Sequence, residues 1–582
     1  MYTNLKNVQI IISLMKQYHI KRIVISPGTR EAPLAHSMEN DNFFTCYSIV
    51  DERSAAYFAL GLSEAVGEPV CLACTSSTAA CNYMPALKEA YEKGIQLIAL
   101  TADRDAYRLY QMEDQMINQI NMYKGYVTHF ADIPMVQDKR TQYYCERILN
   151  ETFWTLDDER KGPIQINYRV PVVGEFTVEK LPKYRKIDRI KKENNFDIYI
   201  EMLASKKRIL VLIGQDYRLD NTNFVKLLNR FQEKYNCVVC YDHLSNVGSS
   251  DFIQIAKISE TITNDEFQKF LPDIVITMGG HNWTFMKQLL TYNARRYEHW
   301  RISEDGKIMD MSNSLTKVFA CSEEEFLEKV TENINIRSDQ QYFRLWHEKL
   351  KTIIVPDMEF TNFYAIQKLT ECIPPKSILH LSILNSTRLA NFCRLDESVS
   401  SFSNLGTDGI DGCLSTFLGQ SALTDQLAFL IIGDLSYLYD VNGILGELKS
   451  NQRIMIINNF AGSEFYTNFD INKIRTLGKH IAANHSSKLE TTVKDLDVDY
   501  YSAENREELT KAIELFTKKS EKPIILEVFT KAEEDSSTLK NFYRINRHYP
   551  EVTFSGKAKS KLKKGLKSVL RIAGIKNIKI ER

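Results

Sequence analysis

Apolar runs of strand length, each ended by small or acidic residues, recur along the chain and alternate with segments long enough for helices. The clearest is Leu427-Ala428-Phe429-Leu430-Ile431-Ile432, which ends in Gly433-Asp434-Leu435-Ser436. A continuous apolar run of this length predicts a strand buried on both faces of a parallel sheet. Leu438 to Leu448 follows as a predicted helix and Arg453 to Ile457 as the next predicted strand, ending in Asn458-Asn459. Near the other end, Arg22 to Ile25 reads as a strand ending in Ser26-Pro27-Gly28-Thr29-Arg30. Tyr47 to Val50 reads as another, ending in Asp51-Glu52-Arg53-Ser54-Ala55 before an alanine-rich helix. Strands alternating with helices imply open α/β sheets, which bind ligands beyond the carboxyl ends of their strands.

The residues at those strand ends carry candidate chemistry. Mg²⁺ takes hard oxygen ligands in octahedral geometry and shares them with phosphates. Asp434, the Asn459 side chain and a backbone carbonyl near Ala461 supply three, so the pair of tips has the make-up of a magnesium-diphosphate clamp. Gly-Asp and Asn-Asn are equally at home in plain turns. At the first pair of strands, Asp51 and Glu52 offer a carboxylate placed for acid-base work, or simply a cap and a dipole partner for the helix they open.

Taken together, these stretches resemble the MenD-type thiamine-diphosphate enzymes of the SEPHCHC synthase family of menaquinone biosynthesis. The resemblance is carried by Ser26 to Arg30, Asp51 to Ala55, Thr75-Ser76-Ser77-Thr78-Ala79-Ala80, Thr101-Ala102-Asp103-Arg104, Gln115 with Gln119, Ser403-Asn404, Gly409-Ile410-Asp411-Gly412 and Gly433 to Ser436. It implies an α/β fold of three open, doubly wound parallel-sheet domains: a pyrimidine-binding domain over 1–178, a central domain over 187–332 and a diphosphate-binding domain over 340–533. It also implies thiamine diphosphate and Mg²⁺ as cofactors. Glu52 would activate the cofactor through its aminopyrimidine ring, Asp434, Asn459 and Ala461 would hold the metal, and Ile410 would be the apolar wedge that keeps the cofactor bent. Ser386, Leu435 and Ser436 would seat the diphosphate. Arg30, Arg104, Gln115, Lys287, Glu464 and Phe465 fall at substrate-pocket positions, where guanidinium groups grip carboxylates. The family decarboxylates 2-oxoglutarate and adds the remaining four-carbon unit to isochorismate. Its sites form between subunits, which implies a homodimer or homotetramer.

Departures concentrate in the substrate pocket. The family's arginine between Asn404 and Gly406 is Leu405 here, its Lys-Arg pair is Lys287-Gln288, and its arginine a turn beyond Ser386 falls near Ala390, with Arg388 and Arg394 out of step. Glu464 brings a carboxylate next to the expected reaction centre, and Ser77 stands where glycine is usual. Each lost arginine-carboxylate contact is worth about 1.5–3 kcal/mol. Two alternatives therefore stand beside SEPHCHC synthesis: a carboligase or decarboxylase of the same type with another donor or acceptor, in a setting such as cell-surface glycan biosynthesis, and a scaffold that keeps the fold without catalysis.

Composition narrows the remainder. The 582 residues predict several domains. With 74 basic and 74 acidic side chains the net charge is zero, which gives no electrostatic reason for a nucleic-acid partner. The apolar stretch Ile10 to Met15 is too short for a signal or a membrane span and runs straight into Lys16. Eleven cysteines include the C-x-x-C pairs Cys71/Cys74 and Cys237/Cys240. Both pairs sit in strand-like runs, where positions three apart face opposite sides, so zinc is not expected. An odd thiol count without a disulfide framework suits the cytoplasm. The last segment, 551–582, carries ten Lys or Arg against two Glu, with Leu562, Leu566, Val569, Leu570 and Ala573 at helical spacing. It reads as a solvated terminus, or as a basic amphipathic helix for an anionic membrane surface or a partner.

Overall fold

The computed structural model describes residues 1–547 apart from 219, 283, 333–337, 447, 469 and 470. The basic segment 551–582 lies outside the described residues. Two compact units are present, one of Met1–Ile190 with Gly306–Val318 and one of Lys191–Asp305 with Phe319 onward.

The first unit is built on a six-stranded parallel sheet. In spatial order its strands are Thr45–Ser48, Arg22–Ile25, Val70–Cys74, Leu97–Asp103, Ile164–Arg169 and His129–Ile133. Every residue of Val70–Cys74 is buried. Cys71 and Ala73 pack into one apolar cluster while Val70, Leu72 and Cys74 pack into another, so the sheet is covered on both faces. The same alternation separates Cys71 from Cys74. The strand predicted at Tyr47 to Val50 lies two residues earlier, at Thr45–Ser48, because its partner Arg22–Ile25 is only four residues long and pairs Ile25 with Ser48. The Ile49 amide gives the last hydrogen bond, to Ile25, and the chain then turns into the helix Glu52–Val66.

In the second unit the strands Ile253–Gln254, Cys237–Tyr241, Ile209–Ile213, Ile274–Met278 and Glu298–Ile302 are parallel neighbours in that order. A further six-stranded parallel sheet runs Ser400–Phe402, Ile378–Leu381, Ala428–Gly433, Gln452–Asn458, Ile524–Phe529 and Asp499–Ala503. Its strand Ala428–Gly433 again divides its side chains: Phe429 and Ile431 join one core, and Ala428, Leu430 and Ile432 the other. The helix predicted over Leu438 to Leu448 is not formed. A helix starts at once at Asp434 and ends at Tyr439, and Val441–Leu445 is a separate 3-10 turn. Asp440 breaks the run, since its carboxylate accepts from the Ser415 amide and hydroxyl at 2.6 Å each, and Gly443 and Gly446 add little helical preference beyond it. Among the described residues no helix is long and apolar enough to cross a membrane, and all eleven cysteines are unpaired.

Candidate functional site

Both six-stranded sheets reverse strand order between their second and third strands, and both predicted constellations fall there. In the second unit the reversal lies between Ile378–Leu381 and Ala428–Gly433, the topological point at which open α/β sheets take ligands. A pocket opens at these carboxyl ends. It is lined by Ser386, Ile410, Asp434, Leu435, Ser436, Asn459, Ala461, Glu464 and Phe465, nine of the residues singled out from sequence, drawn from four separated stretches of chain.

Local geometry explains how they meet. The loop carrying Ile410 is tied to the helix at Asp434 by the Ser436 hydroxyl, which donates to the Ile410 carbonyl at 2.7 Å. Ser386 is the second residue of a short helix, Asn385–Ala390, and accepts from the Ser382 hydroxyl at 3.1 Å. Leu384, just before it, is held at φ 62° and ψ −121°, and Phe460, just after Asn459, at φ 62°. Backbone in this left-handed half is costly for residues with a side chain and is found where surrounding structure enforces it. A Cβ at Gly462 would lie 3.1 Å from the Phe465 ring, so the ring would have to shift by a few tenths of an ångström to admit one.

The donor atoms at the two strand tips are oxygens. The Asp434 carboxylate is steadied by the Leu435 amide at 2.7 Å and the Asn459 amide at 3.0 Å. His485 Nε2 stands 3.3 Å from the same carboxylate, off-line for a hydrogen bond. Asn459 donates its side-chain amide to Asp535 Oδ2 at 2.9 Å, which leaves Oδ1 as the end directed away from Asp535. Asp535 is itself buried and also accepts from the Asn362 amide and the Thr530 hydroxyl. Burial pushes its carboxyl up to about 7, against the pull of those three donors. A carboxylate, an oriented amide oxygen and the nearby Ala461 carbonyl form a set that fits Mg²⁺.

Glu464 does not project freely. Arg388 Nη1 donates to Glu464 Oε2 at 2.5 Å and Nη2 to Oε1 at 3.2 Å, a two-pronged ion pair at the pocket wall. Leu405 and Ala390, the positions where arginine was expected, both belong to one buried apolar cluster with Leu389. Lys287 is exposed, on the helix Met286–Tyr292, and its charge reaches Asp408, whose carboxyl burial raises and Lys287 and Arg388 lower.

In the first unit the reversal lies between Arg22–Ile25 and Val70–Cys74, and Ser26 to Arg30 and Thr75 to Ser77 leave those strands. Asp51 caps the helix Glu52–Val66, its carboxylate accepting from the Ser54 amide at 2.7 Å. Capping therefore uses Asp51 alone, and Glu52 makes no side-chain hydrogen bond or ion pair within the described residues of this unit. Arg30 donates to the Val170 carbonyl at 2.9 Å, and burial together with the neighbouring Arg104 lowers its pKa. Arg104 pairs with Glu113 at 3.2 Å. Gln115 accepts through its carbonyl from the Ser76 hydroxyl at 3.0 Å, and Gln119 takes the Ser77 amide at 2.7 Å. Ser77 is held at φ 77° and ψ −127°, a conformation that favours glycine. Glu31, fully buried and close enough to feel Glu52, is pushed up to about 7, chiefly by burial.

Asp535 and Glu260, which stands 3.8 Å from Arg388, were not visible in the sequence. Each meets its partner across many residues, and neither lies in a motif.

Comparisons with known proteins bear out the family resemblance. Residues 5–122 match the family model described as thiamine pyrophosphate enzyme, N-terminal TPP binding domain. The chain is 32% identical over 564 residues to a 2-succinyl-5-enolpyruvyl-6-hydroxy-3-cyclohexene-1-carboxylate synthase of Bacteroides thetaiotaomicron, covering 93% of this chain and 99% of that protein. A synthase of the same name from Bacteroides fragilis is 32% identical over 563 residues, with the same coverage. One from Flavobacterium psychrophilum is 30% identical over 559 residues, covering 93% of this chain and 99% of its own.

Proposed function

The chain belongs to the 2-succinyl-5-enolpyruvyl-6-hydroxy-3-cyclohexene-1-carboxylate synthase family, and on that premise we propose that it decarboxylates 2-oxoglutarate and joins the remaining four-carbon unit to isochorismate, using thiamine diphosphate and Mg²⁺. The observation that carries this reading is the convergence of Ser386, Ile410, Asp434, Leu435, Ser436, Asn459 and Ala461 on one pocket at a strand-order reversal.

In this reading the bound cofactor supplies the electron sink for loss of CO₂. Asp434, Asn459 Oδ1 and the Ala461 carbonyl would hold Mg²⁺, while Ser386, Leu435 and Ser436 would seat the diphosphate. Ile410 would give the bound cofactor an apolar contact in the pocket. Glu52, left unused by the helix it opens, would hydrogen-bond the aminopyrimidine ring of the bound cofactor and supply acid-base chemistry there. Arg30, Arg104, Gln115, Lys287, Glu464 and Phe465 line the substrates' approach, and two anionic substrates suit the guanidinium groups among them. The division into domains over 1–178, 187–332 and 340–533, the homodimeric or homotetrameric assembly and the cytoplasmic location are part of the same proposal. The eleven unpaired cysteines support the last of these.

Protein supplied with thiamine diphosphate, Mg²⁺ and both substrates is expected to form the coupled product. Glu52→Gln is expected to lower kcat by about 10²–10⁴-fold while still binding the cofactor. An unaffected Glu52→Gln enzyme would overturn the mechanism. The burial of Leu405 and Ala390 in an apolar cluster favours one second reading, the same chemistry with a different acceptor. CO₂ release from 2-oxoglutarate without loss of isochorismate would select it.

A further inference from the structure

Arg388 is the most heavily tethered cation beside the pocket. Its Nη1 donates to Asn385 Oδ1 at 2.9 Å as well as to Glu464, and its Nε, which lacks a hydrogen-bond partner, faces Glu260 Oε1 at 3.8 Å. Glu260 is fixed in turn: its carboxylate accepts from the Tyr543 hydroxyl at 2.7 Å, and its carbonyl accepts from Arg547 at 2.9 Å. The guanidinium is thus held from behind by groups that are themselves anchored. Glu464 is different. Its carboxylate is bonded to Arg388 alone among the described residues, it sits on a single helical turn, Glu464–Thr467, and it is the more exposed partner, at 28% against 10%. Glu464 and Asn385 line the pocket and Arg388 stands directly behind them.

A planar guanidinium gripped by two oxygens of one carboxylate is the geometry in which proteins bind carboxylate ligands. Here a protein carboxylate fills it. We propose that Arg388 is a carboxylate-binding subsite of the pocket and that Glu464 is its resting occupant, displaced when a substrate carboxylate arrives. This rests on the proposed function and deepens it, since it assigns a substrate contact to a residue outside the sequence motifs. The asymmetry of tethering decides which half moves: the carboxylate swings away and the cation stays. Burial pushes Glu260 up to about 7, so below that pH it is largely neutral and leaves the positive charge of Arg388 available. Lys287 and Asp408 share this neighbourhood, and Arg547 adds a further positive charge beside Glu260.

The test is calorimetric binding of glutarate, an unreactive dicarboxylate, to the protein loaded with thiamine diphosphate and Mg²⁺. Glu464→Gln removes the internal competitor and is expected to tighten glutarate binding about tenfold, the equivalent of one charge-assisted contact. Arg388→Gln is expected to abolish it. Equal affinity in Glu464→Gln and the parent would overturn the proposal and make the pair a structural ion pair. That single outcome decides the matter even if Arg388→Gln does not fold. KM values then identify the source of the carboxylate: a fall for 2-oxoglutarate alone in Glu464→Gln assigns the subsite to the donor, and a fall for isochorismate alone to the acceptor. Because glutarate binding requires no turnover, a protein inactive with both substrates but showing the tenfold shift would sink the proposed function and keep the subsite.

Discussion

Replacing Asp535 with Asn should uncouple metal affinity from fold more cleanly than any change to a ligand itself. Asp535 accepts three hydrogen bonds, from the Asn362 amide at 2.8 Å and from the Asn459 side-chain amide and the Thr530 hydroxyl at 2.9 Å each. An asparagine offers one acceptor oxygen and turns an NH₂ toward at least one of those donors. The site is buried, so the unpaired donor costs about 1–3 kcal/mol of stability. The second cost falls on Asn459. Its bond to Asp535 is the shorter of two that orient its amide, the other running from the Ala461 amide to Oδ1 at 3.3 Å, and without it the NH₂ competes with Oδ1 for the metal side. Loss of a group that orients a ligand typically costs about 10–100-fold in metal affinity, or about 1.4–2.7 kcal/mol. The two effects separate in one experiment, in which the thermal midpoint is followed against Mg²⁺ concentration at saturating thiamine diphosphate. The metal-free midpoint reports stability, and the half-saturation point reports affinity. A variant that is destabilised yet half-saturates at the parent's Mg²⁺ concentration would refute the orienting role of Asp535.

Ser77 sits at φ 77° with its amide bonded to Gln119, its carbonyl accepting from the Ala80 amide and its hydroxyl without a hydrogen bond among the described residues, so Ser77→Gly should raise stability by about 1 kcal/mol in chemical denaturation. A lower midpoint would show that the serine side chain contributes more than the strain costs. Glu31 gives a pH signature. Burial raises its folded carboxyl to about 7 from the usual 4.5, so the folded state binds the extra proton between those values and stability falls as pH rises through that window. Glu31→Gln should flatten the fall of the thermal midpoint between pH 5 and 8, and parallel curves for parent and variant would contradict it.

What the sequence made legible followed from periodicity and from strand ends. Arg22–Ile25 was readable to the residue because an apolar run is bounded by charge on one side and by Ser-Pro-Gly on the other. The double-faced burial of Ala428–Gly433 was implied by its unbroken hydrophobicity. The helix expected at Leu438 to Leu448 failed for a reason invisible to local pattern: Asp440 is captured by Ser415, 25 residues away. The neighbouring apolar positions fit a helix equally well. The strand expected at Tyr47 to Val50 was displaced by the length of its partner, which is also non-local. At the site, the residues proposed for metal and diphosphate could be singled out because they sit at strand tips in motifs. Asp535 could not, since it lies 76 residues from Asn459 on a helix whose first turn holds three acidic residues. The partnership of Arg388 and Glu464 spans 76 residues as well, and only the folded chain shows that the new carboxylate and the displaced arginine answer each other.

The central claim is that one pocket couples decarboxylation of the donor to capture by the acceptor. Simultaneous measurement of CO₂ release and isochorismate loss, with thiamine diphosphate, Mg²⁺ and 2-oxoglutarate present, tests it most directly. The account predicts that the two proceed one for one and that both stop in Glu52→Gln. Silence in both channels from folded, cofactor-loaded protein would contradict it.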